Sequence, residues 1–179
     1  MELDLGFSDS VMNARELLSA LRATPLASAV PENATVVYTD GACSGNPGAG
    51  GWGAVLLYKE HRKTISGFVA ETTNNQMEIK AVIEALKTVK KSSSINIYSD
   101  SLYVQNGITK WIFNWKKNNW RSANRKPVKN IELWQELEKE TTKHTINWHW
   151  VKGHSGDKLN EEADKLAREA VKFNKNKLS

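Results

Sequence analysis

Apolar residues follow two periods along this chain. Val36-Val37-Tyr38-Thr39-Asp40, residues 52–58, 62–69, Ile95-Asn96-Ile97-Tyr98-Ser99-Asp100 and 145–151 are short runs rich in β-branched and aromatic side chains, the pattern of strands. Residues 75–90 carry Val82, Ala85, Leu86 and Val89 at helical spacing, and 101–113, 131–142 and 160–172 also read as helices. Three strands spaced as an antiparallel meander, then helix–strand alternation, predict an α/β fold: a five-stranded mixed sheet flanked by helices. Residues 1–34 stand apart. Ser8-Asp9-Ser10 can cap a helix with Ala14, Leu17, Leu18 and Leu21 on one stripe, and Thr24-Pro25 and Val30-Pro31 then break it into a linker. The chain thus divides into an extension (1–34), a main domain (35–173) and a basic tail (174–179).

Two of the strands stop at an aspartate, Asp40 and Asp100. If these strands are parallel neighbours, both carboxylates meet at the C-terminal edge of the sheet, where open α/β sheets bind ligands. Glu78 is in register with the inward stripe of its helix, and a carboxylate there is costly unless it is paired or metal-bound. Its expected place in the first helical turn favours an anion, and capping that turn is its alternative role. Asp164 borders the stripe Ala163, Leu166, Ala167, Ala170 and Val171; it can join the same pole or pair with Lys165 or Arg168. Four converging carboxylates suit Mg²⁺, with Mn²⁺ as a substitute, and suit zinc poorly. Two such cations about 4 Å apart form a clamp for in-line phosphodiester cleavage.

Charge and composition sharpen this picture. Net charge is +5, but residues 1–34 hold two arginines against five acids, so the rest of the chain is more basic than the total suggests. A basic body points to a polyanion, most economically nucleic acid. Between Lys110 and Asn130 lie Lys116, Lys117, Arg121, Arg125, Lys126 and Lys129 with no acid, interleaved with Trp111, Trp115 and Trp120, the ingredients of a nucleic-acid groove. Trp134, Trp148 and Trp150 are assigned to the core. The single cysteine, Cys43, excludes an internal disulfide and suits a reducing cytoplasm. No apolar run reaches the ~20 residues of a membrane span, and the acidic N-terminus reads as no signal or transit peptide.

Residues 48–53 fit a GxGxxG spacing, but a strand follows where a dinucleotide site needs a helix. The segment from Gly41 to Gly48 reads instead as a tight turn beside Asp40. His154, flanked by Gly153 and Gly156, is placed on a mobile loop where it can shuttle protons.

The stretches Tyr38-Thr39-Asp40-Gly41-Ala42-Cys43-Ser44-Gly45-Asn46-Pro47-Gly48, Thr72-Thr73-Asn74-Asn75-Gln76-Met77-Glu78, Ser99-Asp100-Ser101 and Trp150-Val151-Lys152-Gly153-His154-Ser155-Gly156 resemble the signatures of type I ribonuclease H in its bacterial form. The resemblance covers roughly 35–173. It implies that Asp40, Glu78, Asp100 and Asp164 are metal-binding acids and His154 a mobile catalytic histidine. It further implies that Gly41, Cys43, Asn46, Thr73, Asn74, Asn75 and Asn160 contact substrate, and that 110–130, with Trp111, Trp115, Lys116 and Lys117, is a basic protrusion gripping the DNA strand. The implied activity is endonucleolytic cleavage of the RNA strand of an RNA–DNA hybrid, leaving 3′-hydroxyl and 5′-phosphate ends, by a cytoplasmic monomer with no membrane association and no obligate protein partner. The 2′-hydroxyl would identify the strand to be cut. Leu102 departs from the family, standing where bacterial relatives often place a polar residue. The acidic extension does not look like the basic hybrid-binding module of longer relatives. A non-catalytic hybrid-binding protein and a DNA-directed metal nuclease of the integrase or resolvase kind are the rival readings.

Overall fold

A computed structural model describes residues 33–153 and 155–178, with side chains up to residue 175. The helix read within 1–34, and His154, lie outside the described residues. Five strands form one mixed sheet: β1 (Thr35–Ser44), β2 (Gly48–Tyr58), β3 (His61–Thr72), β4 (Ser94–Ser99) and β5 (Thr145–Trp150), in the order β3-β2-β1-β4-β5. β1–β2 and β2–β3 are antiparallel; β1–β4 and β4–β5 are parallel. The helices are α1 (Asn74–Thr88), α2 (Leu102–Asn106), α3 (Ile112–Lys117), α4 (Ile131–Thr141) and α5 (Lys158–Leu178), with a π-helical turn, Gly107–Trp111, joining α2 to α3. Among the described residues no helix is long and apolar enough to cross a membrane.

Alternation along the strands divides the core between the two faces of the sheet. Val37, Ala54, Leu56, Ile95 and Ile97 pack with Ile79, Val82, Ile83 and Leu86 of α1 and with Trp134 and Leu137 of α4. Val36, Tyr38, Val55, Leu57 and Tyr98 face the other way, against Leu159 and Ala163 of α5. Across the parallel strands Tyr38, Tyr98 and His149 stack, with ring centroids 4.6 and 4.5 Å apart. Trp134 is fully buried as expected. Trp148 and Trp150 are only half-buried, because β5 is an edge strand, and they stack on each other at 5.5 Å.

The glycine-rich segment departs from the expected turn. β1 continues four residues past Asp40, pairing Gly41 with Trp52 and Ser44 with Ala49, so the turn shrinks to 45–47. The glycines serve helix approach: a Cβ on Gly53 would lie 2.7 Å from the Ala163 carbonyl oxygen, and one on Gly51 2.3 Å from that of Ala167, both on α5. The turn itself requires Gly45, at φ +84°, and Gly48, where a Cβ would lie 2.3 Å from the Ser44 carbonyl oxygen. α5 starts two residues before the expected position and runs on to Leu178, through the segment read as a tail.

The basic segment after α3 is neither helix nor featureless loop. Arg121 and Pro127 form an isolated β-bridge, and Ser122 N–H donates to the Lys126 carbonyl. Asn119, Trp120 and Arg125 take left-handed backbone angles, folding the segment into a small basic hairpin. Its base is aromatic: Trp111, Trp115, Trp120, Tyr103 and Trp134 form a chain of ring contacts 5.3–6.1 Å apart.

Candidate active site

The register of the parallel strands builds the site. β1 and β4 pair as far as Tyr38–Tyr98, so Asp40 and Asp100 each lie two residues beyond the last parallel pair, at the C-terminal edge. Ser101, which caps α2 by accepting from Val104 N–H at 3.2 Å, turns the chain away directly after Asp100. α1 supplies the third acid. Thr73 opens it with a capping box: its hydroxyl accepts from Gln76 N–H at 3.2 Å, and the Gln76 side chain accepts from Thr73 N–H at 3.3 Å. The helix begins one residue earlier than expected, which moves Glu78 into the second turn and weakens the helix-dipole support expected there. Close approach is what delivers Glu78: a Cβ on Gly41 would sit 2.6 Å from its backbone nitrogen.

Carboxylate oxygens of Asp40, Glu78 and Asp100 all lie within 4.8 Å of one another. Asp40 and Glu78 are buried, and among the described residues Glu78 Oε2 has no hydrogen-bond partner. Burial, followed by the charge of Asp100, pushes the Asp40 carboxyl up to about 7, against the help of Gly41 N–H, which donates to Oδ1 at 2.8 Å. Burial, then Asp40 and Asp100, drives Glu78 well above the usual carboxylate range. A buried, orphaned oxygen among three mutually repelling acids is the donor set that fits a hard divalent cation.

Asp164 is not part of this cluster. Its Oδ2 accepts from Arg168 Nε at 2.8 Å and lies 2.7 Å from Nη2, since Arg168 stands one helical turn further along α5. Its charge still reaches Asp40. Of the four acids expected to converge, Asp40, Glu78 and Asp100 lie within coordination reach of one another, and Asp164 is paired with Arg168.

The expected substrate contacts divide into four groups. Asn46 Oδ1 accepts from Asn74 N–H at 3.2 Å, tying the β1–β2 turn to the start of α1, with Asn75 exposed beside them. Cys43 sits inside that turn with its thiol on the carbonyls of Gly45, Gly48 and Thr72, and Thr73 is occupied as a cap. Asn160 is buried and its Nδ2 donates to Asp100 Oδ2 at 3.3 Å, which sets it against a carboxylate of the cluster. In the protrusion, Trp111 and Lys117 are exposed, Trp115 is half-buried in the aromatic base, and Lys116 is ion-paired with Glu138 of α4.

Sequence reasoning missed Asp157. Its Oδ1 accepts from Leu159 and Asn160 N–H, opening α5, while Oδ2 accepts from the buried Tyr38 hydroxyl at 3.2 Å. This fixes the start of α5, and hence Asn160 and Asp164, against the strand that carries Asp40. An Asp three residues before Asn160 was a legible cap signal. Beside the expected mobile position 154, a Cβ on Gly153 would meet Asp100 Oδ2 at 2.7 Å, so a larger residue there would displace that carboxylate. Gly156, at φ +87° in open space, is the position that needs glycine's backbone freedom.

Residues 32–172 match the family profile described as RNase H. The chain belongs to the ribonuclease H family. A ribonuclease H from Wolbachia pipientis wMel is 60% identical over 136 residues, 76% of this chain and 94% of that protein. The crystal structure of LC9-RNase H1, described as a type 1 RNase H with the type 2 active-site motif, superposes with a TM-score of 0.72 at 30% identity, covering 80% of this chain and 74% of that one. The foamy viral protease-reverse transcriptase in complex with RNA/DNA hybrid gives a TM-score of 0.65 at 25% identity, covering 79% of this chain and 21% of that one. This ribonuclease H is a hydrolase of the bacterial type I kind, with its acidic cluster at the C-terminal edge of the parallel strands.

Proposed function

We propose that this ribonuclease H hydrolyses the RNA strand of RNA–DNA hybrids endonucleolytically, with Mg²⁺ (or Mn²⁺) in a two-metal-ion arrangement, leaving 3′-hydroxyl and 5′-phosphate ends. The observation that carries it is the clustered triad of buried Asp40 and Glu78 with half-buried Asp100, and its Glu78 oxygen unpartnered among the described residues. Cations held there supply an activated water and charge stabilisation at the leaving oxygen. The chain's own residues do the rest. Asn160 and the close-packed Gly153 fix the Asp100 carboxylate. Asn46, Asn74 and Asn75 present amides on one side of the acids, suited to the sugar edge and 2′-hydroxyls of RNA. The hairpin 121–127 and exposed Trp111 offer cations and a flat ring to the paired DNA strand. In this reading Asp164 is the fourth ligand, which requires it to leave Arg168. Backbone-directed contacts of this kind make sequence preference weak. The single cysteine accords with action in the cytoplasm, and a monomer suffices because every proposed group comes from one chain.

The test is cleavage of a labelled RNA–DNA hybrid in Mg²⁺ and in EDTA, beside the matching DNA duplex. Cleavage confined to the RNA strand of the hybrid and abolished by EDTA is expected. Cleavage of the DNA duplex, or none of either, refutes the reading. His154 belongs to the same proposal: His154→Ala should slow turnover by ~10–1000-fold without abolishing it, the range of general acid–base contributions. An unchanged rate would remove it from the mechanism.

A further inference from the structure

The protrusion is not the only basic surface that leads away from the carboxylates. Asp164, Arg168, Lys172 and Lys175 fall within an arc of about 80° on α5, given 3.6 residues per turn, and span ~16 Å of its axis. Arg168, Lys172 and Lys175 are exposed. Lys175 reaches the tip of the β1–β2 hairpin, where its Nζ donates to Ser44 Oγ at 2.7 Å. Among the described residues, neither Lys172 nor Lys175 is matched with a carboxylate; the α5 pairs beyond Asp164 are Arg168–Asp164 and Lys165–Glu169. Arg168 holds Asp164 with part of its fork and keeps further N–H donors free for an anion.

The placement of this stripe separates it from the protrusion. The aromatic base of the protrusion packs on the sheet face that carries α1 and α4, whereas α5 packs on the opposite face. The acidic triad lies at the edge between them. A duplex laid across that edge therefore meets cations on both sides. We infer that Arg168, Lys172 and Lys175 form a second phosphate-binding track, which holds the hybrid's backbone on the side of the cleavage point away from the protrusion. This inference rests on the proposed substrate.

The test uses the full chain and a hybrid of about 20 base pairs, with binding read in EDTA over a salt series and cleavage read separately in Mg²⁺. Lys172→Gln/Lys175→Gln leaves Arg168 and the acids untouched. It should weaken binding by ~3–30-fold near 0.1 M salt and reduce the slope of log affinity against log salt by about 1–2, as expected for two lost phosphate contacts. Its melting temperature and turnover at saturating hybrid should stay within twofold and a degree or two of the parent. An unchanged slope and affinity, with the parent still cleaving hybrid, overturns the second track alone. A loss of affinity without change of slope also overturns it, since phosphate neutralisation must appear in the salt dependence. If the parent neither binds nor cleaves hybrid, the proposed function fails and the track fails with it.

Discussion

Asp40→Asn should abolish hybrid cleavage, by ~10³-fold or more, while raising the melting temperature of the metal-free protein. The first effect follows from losing one of three clustered carboxylates in a site whose bound cations would lower the barrier by several kcal/mol, at about 1.4 kcal/mol per tenfold. The second follows from linkage. Burial and Asp100 raise the Asp40 carboxyl to about 7, above its ordinary 3.8, and Glu78 moves the same way. A group whose folded pKa is raised stabilises fully below its unfolded pKa, and that contribution is lost as pH rises through the folded value. In EDTA the parent should therefore lose stability between about pH 4 and 8, by on the order of 2–4 kcal/mol, or ~5–10 °C. Asn at position 40 removes one repelling charge, so the variant should show a flatter pH dependence and melt higher at pH 8. Saturating Mg²⁺ should flatten the parent's profile. Melting curves by circular dichroism across pH, with and without Mg²⁺, check this. A parent whose stability in EDTA is level or rises over that range would contradict the burial-driven repulsion at the site.

Gly107→Ala should be among the most destabilising single-methyl additions in the chain. Gly107 opens the π-helical turn between α2 and α3, and the added Cβ would fall 1.9 Å from Cη2 of Trp134, and 2.5 Å from Cζ2 and Cζ3. Trp134 cannot swing aside freely. It is fully buried, its Nε1 donates to the Tyr103 hydroxyl at 3.3 Å, and its ring packs against Tyr103 and Trp115. Overpacking of this kind costs about 3 kcal/mol, which for a domain of this size lowers the melting temperature by ~6–12 °C. The same displacement disturbs Trp115 and the base of the protrusion, so hybrid affinity should fall in parallel. A melting temperature within two degrees of the parent would show that α2 and α4 can separate without cost.

How much of this was readable from residues alone differs from element to element. Asp40 and Asp100 announced their own meeting, because each stands two residues beyond the last parallel pair of β1 and β4, although β1 runs on to Ser44 instead of stopping at Asp40. Glu78 was found by its register with Val82, Ala85 and Val89, which are indeed buried with it. The glycines carry a second meaning. Gly41 suggests a turn in one dimension, and Gly51 and Gly53 a rejected dinucleotide spacing, yet each marks a place where a helix comes too near for a methyl group. That information is carried by the partner, distant in the chain, and is invisible locally. Asn160 is a like case: nothing in its neighbourhood tells that Asp100 lies within hydrogen-bond distance.

Strand and helix periods, the acids at their ends and the signature stretches by themselves determined the α/β sheet, its order of elements and the family. Those features are local or repeat at short range, where side-chain spacing maps directly onto direction. Tertiary structure alone decided that Lys116 is held by Glu138, and that α5 and the protrusion lie on opposite faces of the sheet. A charge chooses its partner by distance in space, and the sequence contains no such distance until the chain has packed.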